Sequence, residues 1–203
     1  MNEDSPASSP MTQSQFMNGA AAFEGGLLIL SFVLGWIAST SPTENLYWSA
    51  EDLGYGFLAT IPMLLFGAAA FLSQSSAMSG IREFLREAIG PYLAACRIWD
   101  LFLLALLAGV CEEALFRGFL YFWMVDWNAT LAVVICNLVF AATHAITPMY
   151  ALLAGFLGLY LTALVAADPT PNLLIPITAH TLYDLIGFLV VVWDYRRNSG
   201  PNL

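Results

Sequence analysis

The chain has 203 residues, of which 59% are apolar and only 10% charged, with a formal net charge of −9. Soluble globular chains hold roughly 45–50% apolar and about 25% charged residues, so this one has too few charges to solvate the surface of a water-soluble domain. Its six cations are all arginines, and so acidic a chain with no basic patch is excluded as a nucleic-acid module.

Mean hydropathy of +0.72 points to the same class, a polytopic α-helical membrane protein. The three cysteines, Cys96, Cys111 and Cys136, are odd in number and sit in apolar surroundings, so they read as free buried thiols rather than a disulfide framework. A spanning helix needs about 20 mostly apolar residues. Residues 1–18 fail that test, being polar and Ser/Pro-rich without a cationic start, and read as a disordered tail rather than a signal peptide. The first span is expected at 23–38, with Glu24 near its lipid–water boundary, and the acidic, aromatic segment 41–53 ends it. A second span follows at 55–72, with a kink expected at Pro62.

Residues 78–97 read differently. Arg82, Glu83, Arg86 and Glu87 alternate with Ile81, Phe84, Leu85, Ala88 and Ile89, which gives one charged and one oily face and suits an amphipathic helix lying in the interface. Further spans are expected at 99–124, 130–147, 150–166 and 173–193, joined by short loops of turn formers at 126–128 and 167–172. The fold class is therefore all-α: a transmembrane bundle of about six spanning helices plus one interfacial helix. Its divisions are the tail 1–18, an N-terminal part 19–97, a membrane core 98–195 and a second tail 196–203. With six crossings, Arg82, Arg86 and Arg97 fall on the same side as Arg196 and Arg197, and the positive-inside rule makes that side, with both termini, cytoplasmic in a plasma-membrane protein.

An ionised side chain at the bilayer centre costs roughly 2.5–3.5 kcal/mol, so those inside spans face the bundle interior and have partners. Glu112, Glu113 and Arg117 lie in the third span. Glu113 and Arg117 are four residues apart, acid first, and pair on one face of a helix, while Glu112 is rotated by about 100°. That leaves Glu112 free as a general base or acid in a low-dielectric site, or leaves the group as an ion pair that only locks helices. In the fourth span, His144 shares a face with Phe140 and Asn137. In the last, His180 and Asp184 are four apart, so the carboxylate can fix the ring. Each pair alone suits a satisfied helix contact. Together, imidazoles and carboxylates converging from three helices can activate water directly, or through a divalent metal such as zinc held by His144, His180 and Glu112.

The strings EEALFR at 112–117, FAATH at 140–144 and HTLYD at 180–184 resemble, in order, the EExxxR, FxxxH and HxxxN/D signature of the CPBP (CAAX protease and bacteriocin-processing, or Abi) family of intramembrane proteases. That family includes the type II CAAX prenyl endopeptidases, and the resemblance runs from about Trp99 to Trp193. It implies that Glu112 and His144 activate the water that attacks a peptide carbonyl. His180 and Asp184 then polarise that carbonyl or stabilise the oxyanion, and Glu113 and Arg117 hold the geometry. Membrane lipid and a membrane-embedded or lipid-anchored peptide are the implied partners. Asp184 stands where prenyl proteases of the family commonly have Asn, which suits it to orienting His180. The helix-borne HExxH of soluble zinc proteases is absent. Two other classes compete: a proton-coupled transporter using the same buried ionisable groups, and a non-catalytic immunity or scaffold protein of the same fold.

Overall fold

The computed structural model describes residues 11–198; most of tail 1–18 and the last residues of tail 196–203 lie outside that range. It is all-helical, with no strand among the described residues. Helix α1 is Gln13–Ala38 and α2 is Ala50–Leu72. A three-piece helix α3 runs from Ser76–Phe84 through a π-helical Leu85–Ile89 to Gly90–Ala95. Helix α4 starts as Ile98–Glu113, widens into a π-helical Ala114–Tyr121 and closes with Phe122–Val125. Then come α5 (Ala129–Thr143), α6 (Pro148–Ala166) and α7 (Leu174–Asn198).

By length and composition, α1, α2, α6 and α7 can each cross a membrane. Helix α4 is apolar and unbroken from Ile98 to Val125, though its geometry changes midway. The chain was expected to continue as helix to residue 147, but α5 ends at Thr143. Its 15 residues rise only about 22 Å against the roughly 30 Å of a hydrocarbon core. Pro148 explains the stop: it forces Thr147 into extended backbone (φ −136°, ψ 159°), where the Thr147 hydroxyl caps α6 instead.

Helix α7 is the axis of the bundle, packed by α2, α4, α6 and the end of α3, while α1 lies along α4 and α5 pairs with α6. Small residues allow the closest approach. A Cβ on Gly109 of α4 would strike the Thr181 hydroxyl of α7, so only glycine fits there. The outward faces carry large apolar side chains open to the surroundings, among them Trp36, Ile37, Leu58, Leu65, Leu138 and Phe156, as a bundle bathed in lipid requires.

The two ends differ in chemistry. At one, Arg86 faces Asp194 at 3.7 Å, Arg196 donates to the Ala94 carbonyl, and Gln13 donates to Asp100. At the other, the 41–53 and 167–172 segments clasp each other: Asn172 donates to Asp52 and to the Tyr47 carbonyl, and Leu173 N–H donates to the Asn45 carbonyl. Helix α3 buries Met78, Ile81 and Leu93 against the bundle, so part of its oily face is covered by protein. The polar residues 13–18, expected in the tail, are the first turns of α1, started by a capping box in which Thr12 and Gln15 satisfy each other's backbone N–H groups. Phe16 stacks on Tyr92 at 5.4 Å, which anchors this end. Helix α2 continues through Pro62, where the Tyr160 hydroxyl donates to the Ala59 carbonyl just upstream. Cys111 and Cys136 are buried free thiols, and Cys96 is half-buried.

Candidate active site

The site is built around the point where α4 changes pitch. The π-helical stretch begins immediately after Glu113 and contains Arg117; such widened turns recur at functional sites because they re-aim side chains that an α-helix would bury differently. The Cys136 thiol donates to the Phe116 carbonyl within this stretch, stitching α5 to the distortion.

Glu113 and Arg117 are fully buried and pair at 2.8 Å. Every side of the guanidinium is answered. Nη2 donates to the Gly158 carbonyl at 2.8 Å, Nε donates to the Thr162 hydroxyl at 3.2 Å, and its carbon lies 4.4 Å from the centre of the Phe140 ring. Asn137 belongs to this knot: its amide donates to the Thr162 hydroxyl and to the Val133 carbonyl, and no hydrogen bond joins it to His144 among the described residues. Gly158 is required, since a Cβ there would sit 2.8 Å from the Phe140 ring and 3.1 Å from Arg117. A buried charge with this many partners escapes the cost of an unpaired one.

Glu113 also accepts from His180 Nδ1 at 2.9 Å, so one carboxylate oxygen ties α4 to itself and to α7. On the far side of the ring, His180 Nε2 lies 3.5 Å from Asp184 Oδ2. Sequence spacing pointed to the Asp184 contact; the shorter Glu113 contact crosses between helices and leaves no trace in local spacing.

Glu112 points elsewhere. Its residue is 8% exposed, and its Oε2 faces His144 Nε2 at 3.7 Å without a hydrogen bond. His144 caps α5 rather than lying within it; its Nδ1 bonds to the Phe140 carbonyl at 2.8 Å, and its ring stacks on Phe140 at 4.5 Å. That leaves Nε2 turned toward Glu112. Phe140 also meets the His180 ring edge-on at 6.3 Å, so one aromatic side chain spaces both imidazoles. Thr162 of α6 is a site residue the motifs did not flag, since its hydroxyl meets both Arg117 and Asn137.

The zinc set His144, His180 and Glu112 does not assemble. Among the described residues no three His, Cys, Asp or Glu side chains are placed to hold a metal. His180 is turned away from such a set: its Nδ1 bonds to Glu113 and its Nε2 lies 3.5 Å from Asp184, so neither ring nitrogen is directed at Glu112 and His144.

Glu24, expected near a lipid–water boundary, lies mid-helix because α1 starts at Gln13, and it is only 8% exposed. With Ser31 and Gly35 it makes the buried seam of α1, which runs along α4.

No curated protein and no solved structure matches the chain. Residues 94–186 match the family described as type II CAAX prenyl endopeptidase Rce1-like. That segment, a little under half of the chain, carries every site residue named above except Glu24, and over it the chain is similar to that family of prenyl endopeptidases.

Proposed function

We propose that the protein is an intramembrane endopeptidase that hydrolyses membrane-associated or lipid-anchored peptides, including CAAX-type ones, with water activated by Glu112 and His144. One observation carries the reading: Glu112 Oε2 and His144 Nε2, brought together from separate helices, face each other at 3.7 Å with no bond between them. That separation is too long for a direct hydrogen bond and suits two groups that share one water.

In this mechanism Glu112 takes a proton from the shared water, His144 holds the water's orientation, and the oxygen attacks the peptide carbonyl. The C–N bond then breaks, and the proton passes from Glu112 to the departing amine. His180, braced by Glu113 and Asp184, meets the oxyanion as charge develops on it. Asp184 orients the ring, the task that suits an acid where an amide is common. The substrate is met at membrane depth, since Glu112 lies about 21 Å along α4 from Ile98. The protein is multi-pass in the plasma membrane with both termini cytoplasmic, a topology supported by Arg86 and Arg196 meeting at one end of the bundle.

The test is cleavage of a farnesylated CAAX peptide and its unprenylated twin in proteoliposomes, by the parent and by Glu112→Gln. Turnover by the parent alone is the expected result. Equal turnover by both, or none by either alongside proton leak, would remove the protease reading and favour a transporter.

A further inference from the structure

Glu24 is the one buried acid near the site that the mechanism above does not use. It lies on α1, outside the segment that matches the family. Helix α1 exposes most of its apolar side chains and buries only Glu24, Ser31 and Gly35. An acid on that seam is costly unless something answers it. Ser31 donates to the Leu28 carbonyl of its own helix, so it is not the answer. Glu24 Oε2 is buried with no hydrogen-bond partner among the described residues, and no cation pairs with it. Leu27, one turn further along α1, packs against the buried cluster that holds Leu115, Phe116 and Phe119 of α4. Helix α1 thus lies along the part of α4 that carries Glu112. Three buried carboxylate oxygens on these adjacent helices, Glu24 Oε2, Glu112 Oε2 and Glu113 Oε2, have no partner among the described residues, and each needs a donor.

We propose that Glu24 is a positioning residue of the proteolytic site, its free carboxylate oxygen accepting a hydrogen bond from buried water that links it to the water Glu112 activates. An acceptor on α1 restricts which way the linked waters can point, and so aims a lone pair of the attacking water rather than a hydrogen at the carbonyl. No bond is made or broken at Glu24. The role rests on the Glu112 mechanism, and it extends the site to a helix whose sequence carries none of the family's motifs.

The role separates from a structural one because the two move stability in opposite directions. A buried acid answered only by water costs the fold more than an apolar side chain of similar size, so Glu24→Leu should melt higher than the parent in detergent. The same change should lower kcat by about 10- to 100-fold, with KM held within about twofold, because an oriented acceptor is lost. Glu24→Gln keeps an acceptor oxygen and should retain kcat within about threefold. Parent-like kcat in Glu24→Leu would overturn the proposal, as would its failure to fold or a fall in both kcat and melting temperature. Glu112→Gln assayed beside them separates the two claims. If that variant still cleaves, the Glu112 mechanism fails; if it is dead while Glu24→Leu is fully active, only the role of Glu24 fails.

Discussion

Glu112 and Glu113 are neighbours in sequence, share one helix and are both buried, yet their surroundings are opposite. Glu113 holds Arg117 and His180 at 2.8 and 2.9 Å, within a knot that draws in Gly158, Thr162 and Asn137. Glu112 has one facing imidazole at 3.7 Å, and each of the two carboxylates keeps one buried oxygen, Oε2, without a bond. Glu113 is nonetheless fixed through Oε1 by two short charge-assisted contacts, whereas Glu112 makes no hydrogen bond among the described residues. A buried group left short of partners destabilises the fold, and such groups persist where chemistry uses them. In the proposed mechanism the pair divides labour: Glu113 fixes the frame, and Glu112 works inside it.

Breaking each half should give different failures. Glu112→Gln should lower peptide cleavage by about 10²- to 10⁴-fold while leaving the melting temperature in detergent at or above the parent's, read by turnover and thermal shift. His144→Ala should cost about 10²-fold or more in kcat, again without loss of folded protein by size-exclusion chromatography. Arg117→Ala attacks the other half. It strands Glu113 without its cation and should destabilise by about 3–5 kcal/mol, seen as poor yield and a lowered melting temperature. Gly158→Ala sharpens the contrast, since its added methyl presses on Phe140 and Arg117 and should cost about 1–3 kcal/mol of stability. The smallest effect is expected from Asn137→Ala, about 1 kcal/mol of stability with little change in kcat, because Asn137 serves the knot and not His144.

Much of this was legible in the amino-acid order. Composition gave the helical membrane class, and the four-residue spacing of Glu113 and Arg117 gave their pairing and the freedom of Glu112. Elements were misjudged where tertiary structure overrides local pattern. Hydropathy carried the fourth span through His144, but the conformation Pro148 imposes on Thr147 ends the helix first and leaves His144 as a cap. The polarity of residues 13–18 hid the first turns of α1, and with them the mid-helix position of Glu24. The Glu113–His180 bond, the Gly158 carbonyl and the Thr162 hydroxyl are contacts between helices far apart in the chain. Spacing along one helix says nothing about them.

The central claim is that water held by Glu112 and His144 attacks the peptide bond directly. Its most direct test is a single-turnover cleavage in H₂¹⁸O with enzyme in excess over a lipid-anchored peptide, followed by mass spectrometry of the new C-terminal carboxylate. Direct attack predicts one ¹⁸O in the product of that first turnover. An unlabelled product, with the oxygen drawn from a protein carboxylate instead, would contradict it.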